Sequence, residues 1–433
     1  MNPELAAALD EAGRAFQADD ADGVRRVLDR HPDLRAMIDE PAGPFDSPAI
    51  INVRSRAMLD VLLDAGADIN ARSRWWAGGF GLLDSAKPEL ARYAIERGAN
   101  VDVHAAARLG MMGQLREFVE RDQGSVHARG GDGQTPLHFA SSIEVAEYLL
   151  DRGADIDARD VDHESTPAQY MLDGRQDVAR HLVSRGCRTD ILMAAALGDL
   201  DLVRRHLDAN PDSVRMRVSS DHFPMANERA GGTIYQWTLG FHVSAHDVAR
   251  SFGHQQVLRL LRERSPVDVQ LLDACWAGEH AAARRIVAER PDVSASLSER
   301  HRRQVAHAAR NNNTAAVSLM LECGLPVDAR GQHHATPLHW AAFHGNAEMT
   351  ESILRFHPPL EAADAHYGGT PLRWAIYGSE HGWHCRTGDY GAAVEALLRA
   401  GARRPAEISG SPIVQDVLWR HVSRNDSGGT QYD

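Results

Sequence analysis

Residues 133–153 read GQTPLHFASSIEVAEYLLDRG, an order that specifies two short helices folded back on one another. Thr135 is a residue type that caps the free N–H groups of a helix start. Pro136 follows at the position where a missing N–H costs nothing. Leu137 and Ala140 then pack inward, a short turn follows, and the second segment carries apolar residues at helical spacing. Gly153 ends that segment in a left-handed conformation, and the chain crosses to the next hairpin. The same Gly-Ala-Asp closure stands at Gly66–Asp68 and Gly153–Asp155, with Gly98–Asn100 close to it.

The pattern recurs along the chain. Residues 331–345 read GQHHATPLHWAAFHG, residues 369–376 read GTPLRWAI, and Thr166-Pro167-Ala168-Gln169 keeps the first pair. A lone hairpin of this kind cannot bury its apolar face, so copies must stack. At these motifs, recurring with a period of about 33 residues, the chain resembles the ankyrin-repeat family. The resemblance implies an all-α fold, an ankyrin-repeat solenoid of about twelve helix–turn–helix units with short hairpin fingers. It also implies that His138 and His339 bridge neighbouring hairpins by hydrogen bonds.

Degenerate copies keep the rhythm, including residues 189–207, 244–261, 271–287 and 305–321. The chain therefore reads as one array over 1–433: an N-terminal cap (1–38), a first block of repeats (39–215), an extended hairpin insertion (216–243), a second block (244–405) and a C-terminal cap and tail (406–433). A further insertion at 377–390 lengthens the turn of the last full unit. Insertions in repeat proteins lie outside the stacking core and often serve binding.

The formal charge of −13 argues against non-specific adhesion to nucleic acid or anionic membrane. Lys87 is the sole lysine, an arginine bias typical of a GC-rich, bacterial genome. Cys187, Cys275, Cys323 and Cys385 are scattered without a CxxC pair, which fits a reducing cytoplasm. Residues 1–16 lack the basic start and apolar core of a signal peptide, and no apolar run reaches membrane-spanning length.

The resemblance also assigns a position facing the concave groove, just after the TPLH segment. It holds Asp84, Phe139, Tyr170, Asp273, His307, Trp340 and Trp374, among smaller residues. Large aromatics at an exposed position are costly unless a partner covers them, and aromatics dominate binding anchors. The competing role for each is packing against the next hairpin. Trp237 in the first insertion and the pair Trp75 and Trp76 extend the candidate binding groove. Adjacent tryptophans on an extended segment point to opposite sides, so at least one should meet a groove neighbour or a partner.

No Walker loop, dinucleotide-binding glycine motif, GxSxG elbow or HExxH is present, so the commonest enzyme classes lack support and no catalytic residue is assigned. Glu380, His381, His384 and Cys385 cluster in sequence without a metal-site spacing, and neither a metal nor another cofactor is expected. The reading is a non-catalytic, cytoplasmic protein-binding module with a concave aromatic and acidic groove. It involves no nucleic acid and no membrane. The alternative is an unusual enzyme or small-molecule binder with a pocket in the concave groove near the two insertions.

Overall fold

The computed structural model describes residues 3–426, so residues 427–433 of the expected tail lie outside the described residues. Among the described residues the secondary structure is helical, with no strand beyond a single bridge between Gly43 and Ser47. The chain divides into two units. One comprises residues 1–199 with 217–241, and the other 200–216 with 242–433.

The first unit opens on the helix pair Pro3–Gln17 and Ala21–Arg30. Hairpins follow, including Val103–Leu109 with Met112–Arg121 and Pro167–Tyr170 with Gln176–Ser184. In the second unit the pairs are longer and more regular. Gln304–Arg310 pairs with Thr314–Glu322, Pro337–Phe343 with Ala347–Leu354, and Pro371–His381 with Tyr390–Arg399. The core of each unit is the run of inward leucines, alanines and valines between hairpins; Leu137 and Leu338 are both fully buried. No helix of the described residues is long and apolar enough to cross a membrane.

The two full TPLH copies fold differently. After Thr336 the first helix is a true α-helix, and the second begins eleven residues on, at Ala347. After Thr135 the second helix begins only eight residues on, at Ile143, and Pro136–Phe139 closes as a single 3-10 turn. Omitting three residues removes most of a helical turn, and the tighter geometry takes up the loss.

The histidine of each TPLH motif has the bridging role that the resemblance implies. His339 Nδ1 lies 3.1 Å from the Thr336 N–H nitrogen and 2.8 Å from its hydroxyl. Its Nε2 reaches the Gly369 carbonyl one repeat on, at 3.1 Å. His138 does the same between Thr135 and the Ser165 carbonyl. A carbonyl only accepts, so Nε2 carries the proton and the ring is neutral. Burial holds both rings neutral, with pKa values pushed down to about 3 for His138 and about 4 for His339. At Thr135 and Thr336 the histidine thus accepts the threonine's own N–H, the reciprocal half of a capping box at the helix start. Thr370, followed by Arg373, does cap its helix with its own hydroxyl.

Candidate functional site

In the first unit, three segments converge on a buried acidic loop. The finger 75–80 lies against 130–133 so closely that a Cβ on Gly78 would stand 2.2 Å from the Gly130 carbonyl oxygen, and one on Gly131 2.4 Å from the Phe80 ring. Gly78 also has φ 141°, so glycine is needed there on both counts. The backbone carbonyl of Asp132 in turn accepts the N–H groups of Val161 and Asp162, at 2.8 and 3.2 Å. The insertion closes the third side, where Gly231 N–H reaches the Asp162 carbonyl at 2.8 Å and Gly232 offers its carbonyl to His163 Nδ1 at 2.8 Å.

Asp132, Asp160, Asp162 and His163 are buried together at this junction. Asp160 is fully employed: it accepts the N–H groups of His163 and Ser165 and the Tyr170 hydroxyl. Burial nevertheless raises its pKa. Burial, reinforced by the charges of Asp162 and Asp160, also raises that of Asp132. Tryptophans rim the cluster. Trp237, 55 % exposed, packs on the His163 ring at 4.8 Å, and Phe241 stands against its far side at 5.8 Å. Trp75 meets Phe45 edge-on at 4.9 Å, whereas Trp76 lies under the Arg229 guanidinium of the insertion at 4.6 Å. The adjacent tryptophans thus find different neighbours.

The second unit carries an aromatic patch. Trp340, only 3 % exposed, meets Trp374 edge-on at 5.1 Å. Trp383, from the second insertion, stacks over Trp340 at 5.9 Å and is itself 58 % exposed. The Arg310 guanidinium faces both rings, 5.8 Å from Trp340 and 5.3 Å from Trp383, and burial lowers its pKa to about 10. His307, on the same helix as Arg310, is stacked on His242 at 3.7 Å.

A family model of ankyrin repeats in three copies matches residues 245–358 and 305–403, and one of a single ankyrin repeat matches residues 132–161. Residues 132–161 and 245–403 are thus matched as ankyrin repeats. Its relatives include the ankyrin repeat and SAM domain-containing protein 6 of Mus musculus, 27 % identical over 124 residues, or 27 % of this chain. The protein of the same name from Rattus norvegicus is 24 % identical over 135 residues, or 30 % of this chain. The matched stretch makes up only 14 % and 15 % of those two relatives.

Several of the positions expected to face a groove hold buried side chains. Trp340, Trp374 and Phe139 are buried, Phe139 lying edge-on to His104 at 5.6 Å. Asp84 caps its own helix by accepting the Gly81 N–H at 2.7 Å, and burial raises its pKa. Asp273 is buried between Arg250 and Arg262; burial pushes its carboxyl up, but His246 and the two guanidinium groups outweigh that and hold it low. The two carboxylates belong to different units; Asp84 is engaged within its own repeat and Asp273 by arginines of the repeat before it. Tyr170, Trp75, Trp76 and Trp237 do come together around the acidic loop, whereas Trp237 shares no unit with Trp340 and Trp374. Sequence reasoning missed Asp132, Asp162 and His163, because Asp132 stands on a finger 30 residues before Asp162. The signal available was the crowding of Asp160, Asp162, His163 and Glu164 within five residues.

Proposed function

We propose that this ankyrin chain is a non-catalytic protein-binding module, with the patch around Trp383 as one contact surface and the tryptophan-rimmed acidic loop as another. The observation that carries the reading is Trp383. A tryptophan 58 % exposed is costly in water, yet this one is held in place by the buried Trp340 ring and by Arg310. Preordered tryptophans of this kind make strong anchors, since little side-chain freedom is lost when a partner covers them. Tyr367 and Tyr377, each more than half exposed, widen the apolar area. Ankyrin architecture generally serves protein contacts, which supports the same reading by association. The four free thiols fit a reducing, cytoplasmic setting.

The test is affinity purification from native extract with immobilised wild-type and Trp383→Ala chains. A partner retained by the first and lost by the second, with the melting temperature little changed, is the expected outcome. An identical set of retained proteins would remove this surface from consideration.

A second reading, a small-molecule binder, has one observation in its favour. A cleft of about 270 Å³ lies under the first insertion, with Arg159, Arg188, Glu164 and Phe223 in its wall. Mass spectrometry of ligands released from natively purified protein tests it: a stoichiometric compound lost on substituting Phe223 would favour it.

A further inference from the structure

We propose that Asp132, Asp162 and His163 form a binding site for one divalent transition-metal cation of the zinc or manganese type. One carboxylate oxygen from each aspartate and a ring nitrogen of His163 lie within 4.8 Å of one another, the only such grouping among the described residues. The histidine is already oriented. Its Nδ1 faces the Gly232 carbonyl at 2.8 Å, and a carbonyl only accepts, so the proton is on Nδ1. Nε2 then directs its lone pair at Asp162 Oδ2, 3.6 Å away, and Asp132 Oδ2, 3.7 Å away. A lone pair facing two carboxylates is repulsive unless a positive charge stands among them. A carbonyl held on the far nitrogen is also the usual outer support of a metal-bound imidazole.

A second observation points the same way. Asp132 is only 8 % exposed, yet its Oδ1 has no hydrogen-bond partner. The Trp75 indole approaches that carboxylate, but its N–H lies outside hydrogen-bonding geometry and has no acceptor of its own. An unsatisfied buried carboxylate oxygen is expensive, and two carboxylates exceed what one imidazolium would neutralise. Asp160 adds a third buried negative charge behind them.

The geometry suits an ion. Two donors each about 2.1 Å from one metal stand roughly 3.4 Å apart at the tetrahedral angle and at most about 4.2 Å apart. The present 3.6 and 3.7 Å separations need only a few tenths of an ångström of adjustment. Mixed nitrogen and carboxylate donors favour zinc, manganese or iron over magnesium or calcium, which take oxygen alone. Gly231 keeps the approach clear, since a Cβ there would stand 3.3 Å from both Asp162 and the His163 ring.

The experiment uses the untagged full chain, stripped with chelator and titrated calorimetrically with Zn²⁺, Mn²⁺ and Mg²⁺. We expect one Zn²⁺ or Mn²⁺ per chain, weaker Mg²⁺, and an affinity falling about a hundredfold or more in Asp132→Asn and Asp162→Asn. The double variant His381→Ala with His384→Ala should bind as wild type does. If the aspartate variants do not fold, wild-type protein loaded with Fe²⁺ and treated with ascorbate and peroxide should be cut near residues 130–133 and 160–164. No binding at millimolar ion, binding unaltered by the aspartate substitutions, loss in the histidine double variant, or cuts confined to other segments would overturn the site.

Discussion

Trp374 donates its indole N–H to Asp364 Oδ2 at 3.0 Å. In the other unit the Tyr170 hydroxyl makes the corresponding bond to Asp160 Oδ2, also at 3.0 Å. In each case the aromatic follows a Thr-Pro helix start, and the aspartate lies in the hairpin finger before it, six residues ahead of the threonine. Asp364 also accepts the N–H groups of His366, Tyr367 and Gly369. The aromatic side chain is therefore a strut that ties the helix to a finger whose backbone is organised by the same carboxylate.

That arrangement separates two substitutions. Trp374→Phe removes one donor and leaves Asp364 three others, so it should cost about 1 kcal/mol. Asp364→Ala strands several donors at once and should cost clearly more, about 2–4 kcal/mol. Urea denaturation of the two variants checks the order; the reverse order would mean the indole is held by packing alone.

Trp340 and Trp383 should divide stability from binding. Trp340→Ala empties a buried site and should cost about 3–5 kcal/mol, whereas Trp383→Ala should cost about 1 kcal/mol or less. Thermal and denaturant unfolding of both variants measures this. Equal losses would show that the exposed ring is as structural as the buried one.

Leu338→Ala should cost about 2–5 kcal/mol, because the side chain is fully buried between hairpins. Repeats lean on their neighbours, so amide exchange should quicken in adjacent hairpins and not only in the altered one. A loss below about 1 kcal/mol would contradict the burial.

The buried neutral histidines predict an acid sensitivity of definite sign. His339 has a folded pKa of about 4 against an ordinary value of 6.5. Between those values the unfolded chain binds a proton that the native chain refuses, so stability falls as pH drops through this window and levels off below it. Gln169 occupies the equivalent position in another repeat, where its side-chain oxygen accepts the Thr166 N–H at 2.8 Å. His339→Gln should thus keep that local bond and lose the titration. From pH 7 to pH 4.5 the variant should lose roughly 2 kcal/mol less than wild type. Parallel stability–pH curves for the two proteins would refute the assignment.

The ankyrin hairpins were legible in the linear order because their determinants are local. Thr-Pro at a helix start, a histidine three residues after the threonine, glycine at the close and apolar residues at helical spacing act within a dozen residues. Even the unequal copies at Thr135 and Thr336 could be counted from the chain. The direction of the aromatics was not legible in this way. Whether Trp340 or Trp383 meets solvent depends on which ring lies on top, and that is decided by the insertion folding back over the preceding hairpin. The acidic loop is more distributed still: Asp132, His163 and Gly232 come from three segments up to 100 residues apart, joined by backbone bonds that no side-chain pattern announces. Periodicity specifies neighbours along a stack, but only closure of the finger, the loop and the insertion on one another decides which carboxylates are deprived of water and left facing a histidine.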